Sequence, residues 1–186
     1  VGFYARRGYR RVDGAFRTAF RPENSVGFHE WSPHASFFTV RNFDTGQTES
    51  EWIPLDNTME WRNGFWMSTA LNVTSEGVLE PFEIFPGVTV PVDTYDHTEA
   101  IIRFNTNRGA PVSFTFRTTA GGFFGGDRVQ MGPEVSLRAG ETFNAQLSWS
   151  RNDIDLPGGA FVTNLGSVRL NYSFTTRMFV QALVQY

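Results

Sequence analysis

Four aspartates are the residues whose type and spacing best fit ligand binding. Asp93 and Asp96 lie close together in one polar stretch, and Asp153 and Asp155 in another. Clustered carboxylate oxygens bind hard cations and accept hydrogen bonds from sugar hydroxyls. We expect both stretches to be loops and treat the four aspartates as binding candidates: Asp153 and Asp155 for calcium, and Asp93 and Asp96 for a cation or a sugar. The alternative is a solvated polar loop held by its own hydrogen bonds.

Histidine and cysteine chemistry is sparse in this chain. It contains no Cys, which excludes thiolate chemistry, disulfides and cysteine-based zinc sites within it. His29 and His34, with Glu30 between them, form the most compact histidine–carboxylate group. Residues five apart do not share a side of a regular strand, so we expect no metal site there. No serine lies in a nucleophile-elbow setting, and we expect no catalytic residues and no cofactor.

Arginine supplies all the basic side chains, because the sequence has no lysine. The formal net charge of −3 argues against nucleic acid as a partner. Arg103, Arg117, Glu134 and Arg169 are spaced along stretches in which polar and apolar residues alternate. If those stretches line a barrel lumen, these four side chains set its electrostatic field and any selectivity.

The alternation itself is the main structural signal. Apolar and polar residues alternate in Phe143 to Trp149, in Val168 to Phe174 and in Val112 to Phe116. This period of two predicts half-buried strands. No convincing helical stretch appears, and we expect about ten antiparallel strands in an all-β, up-and-down meander.

The polar sides of these strands favour a membrane barrel over a sandwich. They carry mostly Ser, Thr, Asn and Gln, with scattered Arg and Glu, and only 19% of all residues are charged. Such a lining is typical of a barrel lumen whose apolar side faces lipid. The fold class predicted is therefore a partial transmembrane β-barrel of the outer-membrane type.

Connection lengths give a second indication. Short turns are predicted at Arg62–Gly64, Arg108–Pro111, Arg138–Glu141, Thr175–Arg177 and Pro22–Asn24. Longer loops are predicted between them, at Phe43–Gln47, Glu76–Thr98, Gly121–Asp127 and Asn152–Gly159. Short turns at one end and long loops at the other are typical of outer-membrane barrels.

Several segments, in order, also resemble the C-terminal barrel region of the bacterial domain-of-unknown-function family 5916. The resemblance rests on Gly2–Phe3 with Arg6–Arg7 and Tyr9–Arg10, on Leu79–Ile84 with Pro86–Val88 and Val90–Pro91, on Ser150–Pro157 with Phe161, Asn164–Leu165, Arg169 and Tyr172–Phe174, and on Leu183–Tyr186. It implies a parent protein in which a domain similar to a family-9 carbohydrate-binding module precedes the barrel. The family has no established activity to carry over.

We therefore expect residues 1–186 to be a single barrel segment, truncated at both ends of a longer parent and located in the bacterial outer membrane. The predicted function is non-enzymatic: a pore, receptor or membrane anchor in glycan or small-solute uptake. Its expected partners are outer-membrane lipid, a glycan or small solute, and the remaining strands and N-terminal domain of the parent. One alternative is a soluble periplasmic β-sandwich carbohydrate-binding module, and a second is a membrane-embedded hydrolase.

Overall fold

A computed structural model describes residues 8–23 and 27–186, which form strands and turns but no helix. Gly2–Phe3, Arg6–Arg7 and Asn24 lie outside the described residues. Within those ranges no helix is long and apolar enough to cross a membrane. The strands are β1 (Tyr9–Arg17), β2 (Phe28–Asn42), β3 (Thr48–Trp61), β4 (Trp66–Val78), β5 (Phe82–Phe85), β6 (Val88–Val90), β7 (Asp93–Asn105), β8 (Val112–Phe123), β9 (Gly126–Ala139), β10 (Phe143–Leu156), β11 (Gly159–Thr175) and β12 (Met178–Gln185).

Ten of these strands form one antiparallel sheet in the order β1-β2-β3-β4-β7-β8-β9-β10-β11-β12. Each strand pairs with the next one along the chain, except that the hairpin β5–β6 is inserted between the neighbours β4 and β7. The predicted all-β, up-and-down meander of about ten strands is therefore confirmed. The sheet is open, because β1 and β12 do not pair with each other in the described part of the chain. A closed barrel is thus not present.

The register assigns every residue to one of two faces, because directly paired residues share a face. Arg103 pairs with Arg117, and the same face continues through Glu134 to Ser148. The hairpin β5–β6 packs on this face, which we call the inner face. The opposite side is the outer face.

A broad apolar band covers most of the outer face. It runs through Val129–Leu137 in β9 and Phe143–Trp149 in β10, which are about 30 Å and 24 Å of extended strand. Leu147 and Val112 in this band are 58% and 59% exposed. Among the residues described, no second layer of strands packs over it. A large apolar surface of this kind is unusual for a soluble monomer.

Along β10, the polarity of the two faces reverses beyond Trp149. In β10, Trp149 lies on the outer face, whereas Ile154 and Leu156 lie buried on the inner face. Asp153 and Asp155 occupy the outer face at the same level. The register of β10 against β9 is unbroken across this change. The reversal therefore does not come from a shift in strand pairing, and it coincides with the packing of the hairpin on Ile154 and Leu156.

Two of the predicted long loops are wrong. Residues 121–127 contain only a two-residue turn, Phe124–Gly125, and residues 152–159 contain only the turn Pro157–Gly158. Residues 76–98 hold the end of β4, the hairpin and the start of β7. The connection at residues 43–47 and the short turns at 62–65, 140–142 and 176–177 are as expected. Short and long connections therefore do not separate cleanly between the two ends of the sheet.

Candidate functional site: the inner face and its hairpin

The four side chains predicted to line a lumen all lie on the inner face. Arg103 of β7 stands directly opposite Arg117 of β8, and Glu134 of β9 pairs with Thr115 of β8. Arg169 of β11 pairs with Gln146 of β10. The register thus places the four on one face of the sheet, spanning β7 to β11, as the alternation predicts, and their role in lining a lumen stays a prediction.

These four side chains are also unpaired. Arg103, Arg117, Glu134 and Arg169 make no side-chain hydrogen bond or ion pair among the described residues. Like charges placed directly opposite each other, such as Arg103 and Arg117, are unfavourable in a sheet. A solvated inner face tolerates this arrangement, because water and salt screen the two charges.

A groove lies where the inner faces of β8 to β11 meet the connection between β7 and β8. Its volume is about 400 Å³. Arg108, Arg138 and Arg169 contribute the basic groups, and Glu134 is the one carboxylate in its lining. Most of the remaining lining is neutral and polar: Ser113, Thr115, Ser136, Asn144, Gln146 and Asn171. Sequence reasoning missed Arg108 and Arg138, because they lie in or next to turns that only the register brings to Arg169.

The other end of the inner face is covered by the hairpin β5–β6. Val88 and Val90 of β6 are buried, with Val90 only 2% exposed. They belong to the main hydrophobic cluster of the described chain together with Val78, Tyr95, Ile154 and Leu156. The cluster includes residues of β4, β7 and β10. The hairpin therefore contacts β10 as well as β4 and β7, the two strands between which it is inserted. We call this region the capped end.

Aromatic and backbone contacts hold the hairpin in place. Phe85 stacks on Phe161 of β11, with ring centroids 4.4 Å apart and planes within 4°. The Tyr95 hydroxyl donates to the carbonyl oxygen of Pro91 at 2.9 Å. A Cβ at Gly158 would lie 3.2 Å from the carbonyl oxygen of Thr89, so the turn between β10 and β11 approaches the hairpin backbone closely. The hairpin thus crosses the inner face from β7 to β11.

The turn Phe124–Gly125 supplies a further contact. Both residues have positive φ, 44° and 80°, as a two-residue hairpin turn of type I′ requires. A bulky residue is strained in this region of backbone space. The ring of Phe124 packs edge-on against Phe82 of the hairpin and against Tyr95. These ring contacts depend on an aromatic side chain at this position.

A half-buried ion pair lies beneath the same region. Arg128 of β9 donates to Glu99 of β7, and its guanidinium lies 4.2 Å from the ring centre of Phe123. Gly121 of β8 stands between the two charged residues in the register. Since Gly121 has no side chain, Arg128 can reach across β8. This glycine, which suggested a loop in the sequence, is needed for close approach within a strand.

The four aspartates predicted as loop-binding candidates lie in strands, so their loop placement is wrong. Asp93 and Asp96 belong to β7, and Asp153 and Asp155 belong to β10. Asp93 accepts a hydrogen bond from the backbone N–H of Thr94 at 2.8 Å. Asp153 pairs with Arg151 at 3.0 Å on the outer face. Asp93 faces inward and Asp96 faces outward. Their two carboxylates therefore cannot bind one ligand together.

The histidine group is also divided. His34 lies on the inner face with its Nδ1 2.8 Å from the carboxylate of Asp56, and Glu30 is held by Ser32 and Arg21. No cluster of three or more metal-ligating side chains occurs in the described ranges. Within those ranges, no serine or threonine hydroxyl bonds to His34.

No protein-family model, no curated protein and no solved structure matches this chain.

Proposed function

We propose that this chain is a segment of a bacterial outer-membrane β-barrel without enzymatic activity, which acts as a pore, receptor or membrane anchor in the uptake of small solutes or glycans. The resemblance to family 5916 is part of this proposal and suggests a sugar-binding domain in the same parent protein. The strands themselves supply the physical argument.

The observation that carries the proposal is the exposed apolar band of the outer face. Leu147, Leu170 and Val184 are 58%, 41% and 64% exposed, although burying such side chains is worth roughly 1.5–3 kcal/mol each. In water this surface would drive aggregation, whereas in a bilayer it faces hydrocarbon. A strand tilted by about 45° crosses the bilayer with roughly 9–11 residues, and the nine residues Val129–Leu137 of β9 reach that length.

The inner face supports the same proposal. It carries Ser, Thr, Asn and Gln side chains with unpaired Arg103, Arg117 and Arg169, as a water-filled lumen requires. A soluble sandwich would place its apolar faces against each other and its polar faces in water. Here the apolar band has no partner layer among the described strands.

Fractionation of the full-length protein tests the proposal. The protein is expressed with its own export signal, membranes are washed with alkaline carbonate, and the pellet is run on denaturing gels with and without boiling. Retention in the outer-membrane pellet and a heat-dependent shift in mobility are expected. Release into the wash without a shift would contradict the barrel and favour the soluble periplasmic carbohydrate-binding module.

The hydrolase alternative has its own test. His34 is the histidine with a carboxylate partner on the inner face, so a lipid or ester hydrolase would depend on it. We expect His34→Ala to leave any hydrolytic activity of the purified membrane fraction at the level of the unmodified protein. A specific loss with that variant would replace our proposal by the hydrolase.

A further inference from the structure

We propose that the groove on the inner face of β8 to β11 binds a small polyhydroxylated anion, such as a sugar acid or a sugar phosphate. This inference rests on the proposed function, because solute reaches the inner face through the lumen. It goes further by naming a site and the chemistry of its ligand.

The charge of the groove comes from three separate parts of the chain. Arg108 projects from the connection between β7 and β8, Arg138 stands at the end of β9, and Arg169 lies in β11. Glu134 is the sole acidic residue in the lining, so three guanidinium groups face one carboxylate. The local excess of positive charge contrasts with the formal net charge of −3 for the whole chain.

These guanidinium groups are available for a ligand. The side chains of Arg108 and Arg169 have no hydrogen bond or ion pair within the described residues. Arg138 makes one long hydrogen bond, from Nε to the side-chain oxygen of Asn144 at 3.3 Å. Elsewhere on the inner face an arginine such as Arg128 is already matched by Glu99. Unmatched arginines bind carboxylate and phosphate oxygens through paired N–H donors.

The neutral part of the lining indicates hydroxyl groups on the ligand. Asn144, Gln146 and Asn171 offer both donors and acceptors, and Ser113, Thr115 and Ser136 offer hydroxyls. Glu134 adds an acceptor for ligand hydroxyls. The volume of about 400 Å³ lies within the range of roughly 300–1,000 Å³ usual for small-molecule sites. Together these groups fit one acidic group surrounded by hydroxyls better than a bare inorganic anion.

Titration calorimetry on the full-length protein in detergent micelles at low ionic strength tests the groove. The probes are gluconate, glucose 6-phosphate, glucose and inorganic phosphate. We expect saturable binding of gluconate or glucose 6-phosphate, weaker binding of inorganic phosphate, and none of glucose. The better of the two sugar anions tells whether the site prefers carboxylate or phosphate.

Substitutions at Arg169 locate the site. Arg169→Gln should weaken binding of the preferred anion by about tenfold, since it removes a charged hydrogen-bonding group. Arg169→Lys keeps the charge but loses the paired donors. Its affinity for the anion should therefore be intermediate between those of the unmodified protein and of Arg169→Gln. Arg41→Gln is the matched control, because Arg41 lies on the outer face of β2, away from the groove.

Retention of the heat-dependent gel shift shows that each variant is folded. The proposal is overturned if none of the anions binds, if inorganic phosphate binds as tightly as the sugar anions, or if Arg41→Gln weakens binding as much as Arg169→Gln. Because binding is measured in micelles and membrane insertion by fractionation, failure of the groove and failure of the barrel are distinguished.

Discussion

The capped end and the groove end of the inner face belong to the same strands, yet they have opposite chemistry. At the capped end, Ile154 and Leu156 of β10 face inward and are buried under the hairpin. Towards the other end of the same strand, Asn144 and Gln146 face inward and line an open polar groove. The outer face shows the reverse, with aspartates beside the capped end and exposed apolar side chains beside the groove.

The two ends differ in what covers the inner face, and the apolar residues of the strands differ accordingly. Where the hairpin supplies a protein surface, the inner face carries the apolar residues and the outer face is polar, as in a soluble protein. Where no protein covers the strands, the apolar residues turn outward. In our account, the boundary between Trp149 and Ile154 marks the level at which β10 leaves the bilayer.

A buried charge at the capped end should give the largest effect. Val90→Asp places a carboxylate where the side chain is 2% exposed, and an uncompensated buried charge costs about 3–5 kcal/mol. We expect the hairpin to detach, so that a protease cleaves within residues 79–92 of the membrane-inserted protein. Thr89→Asp is the matched control, because Thr89 is exposed and its variant should remain uncut. Equal cleavage of both variants would mean that the hairpin is not held by this cluster.

A charge in the apolar band tests the other side of the comparison. Leu147→Arg should destabilise the inserted protein by about 2–4 kcal/mol, the cost of arginine on the lipid face near the middle of a bilayer. Ser148→Arg, one residue along on the inner face, should cost much less. The midpoint of urea unfolding from lipid vesicles measures both. Equal midpoints for the two variants would count against a lipid-facing band.

The aromatic stack should give a smaller effect. Phe161→Ala removes the ring that stacks on Phe85 at 4.4 Å and should loosen the hairpin by about 0.5–1.5 kcal/mol. Hydrogen exchange of the amides in β5 and β6 should become faster, while exchange in β9 stays unchanged. Val162→Ala, on the outer face of the same strand, is the control. Unchanged exchange in the hairpin of Phe161→Ala would show that the stack does not hold it.

The regular alternation of the apolar band was enough to predict the sheet and the face of Arg103, Arg117, Glu134 and Arg169. The capped end could not be predicted in the same way. The apolar residues shift from odd to even positions between Trp149 and Ile154, and the segment Asn152–Gly159 is predicted from the sequence to be a loop. The structure shows a continuous strand instead, in which Ile154 and Leu156 face the hairpin on the inner face. Contacts between segments distant in sequence, such as Phe85 with Phe161, leave no local pattern.

The predicted loop at Gly121–Asp127 is wrong because two of its glycines have a role within a strand. Gly121 and Gly122 suggested a flexible loop, yet they lie in β8 where side chains would collide with the backbone of Thr98 and with His97. Arg108 lies in a connection, where residues show no alternation, and Arg138 lies at the end of β9 although the sequence predicts a turn at Arg138–Glu141, so neither was assigned to the inner face. The strand order shows that both line the same groove as Arg169.

The central claim is that the outer face contacts lipid and the inner face contacts water. Site-directed spin labelling tests it most directly, since residues 1–186 contain no cysteine and any cysteine elsewhere in the full-length protein can be replaced by serine. Single cysteines at Leu147, Ser148, Leu170 and Asn171 of the full-length protein are labelled in vesicles, and collisions with oxygen and with a water-soluble nickel complex are compared. The account predicts that labels at Leu147 and Leu170 collide mainly with oxygen, which partitions into the bilayer, and labels at Ser148 and Asn171 mainly with nickel. Labels at Leu147 and Leu170 that collide with neither reagent would show a dry protein core on the outer face and would contradict the account.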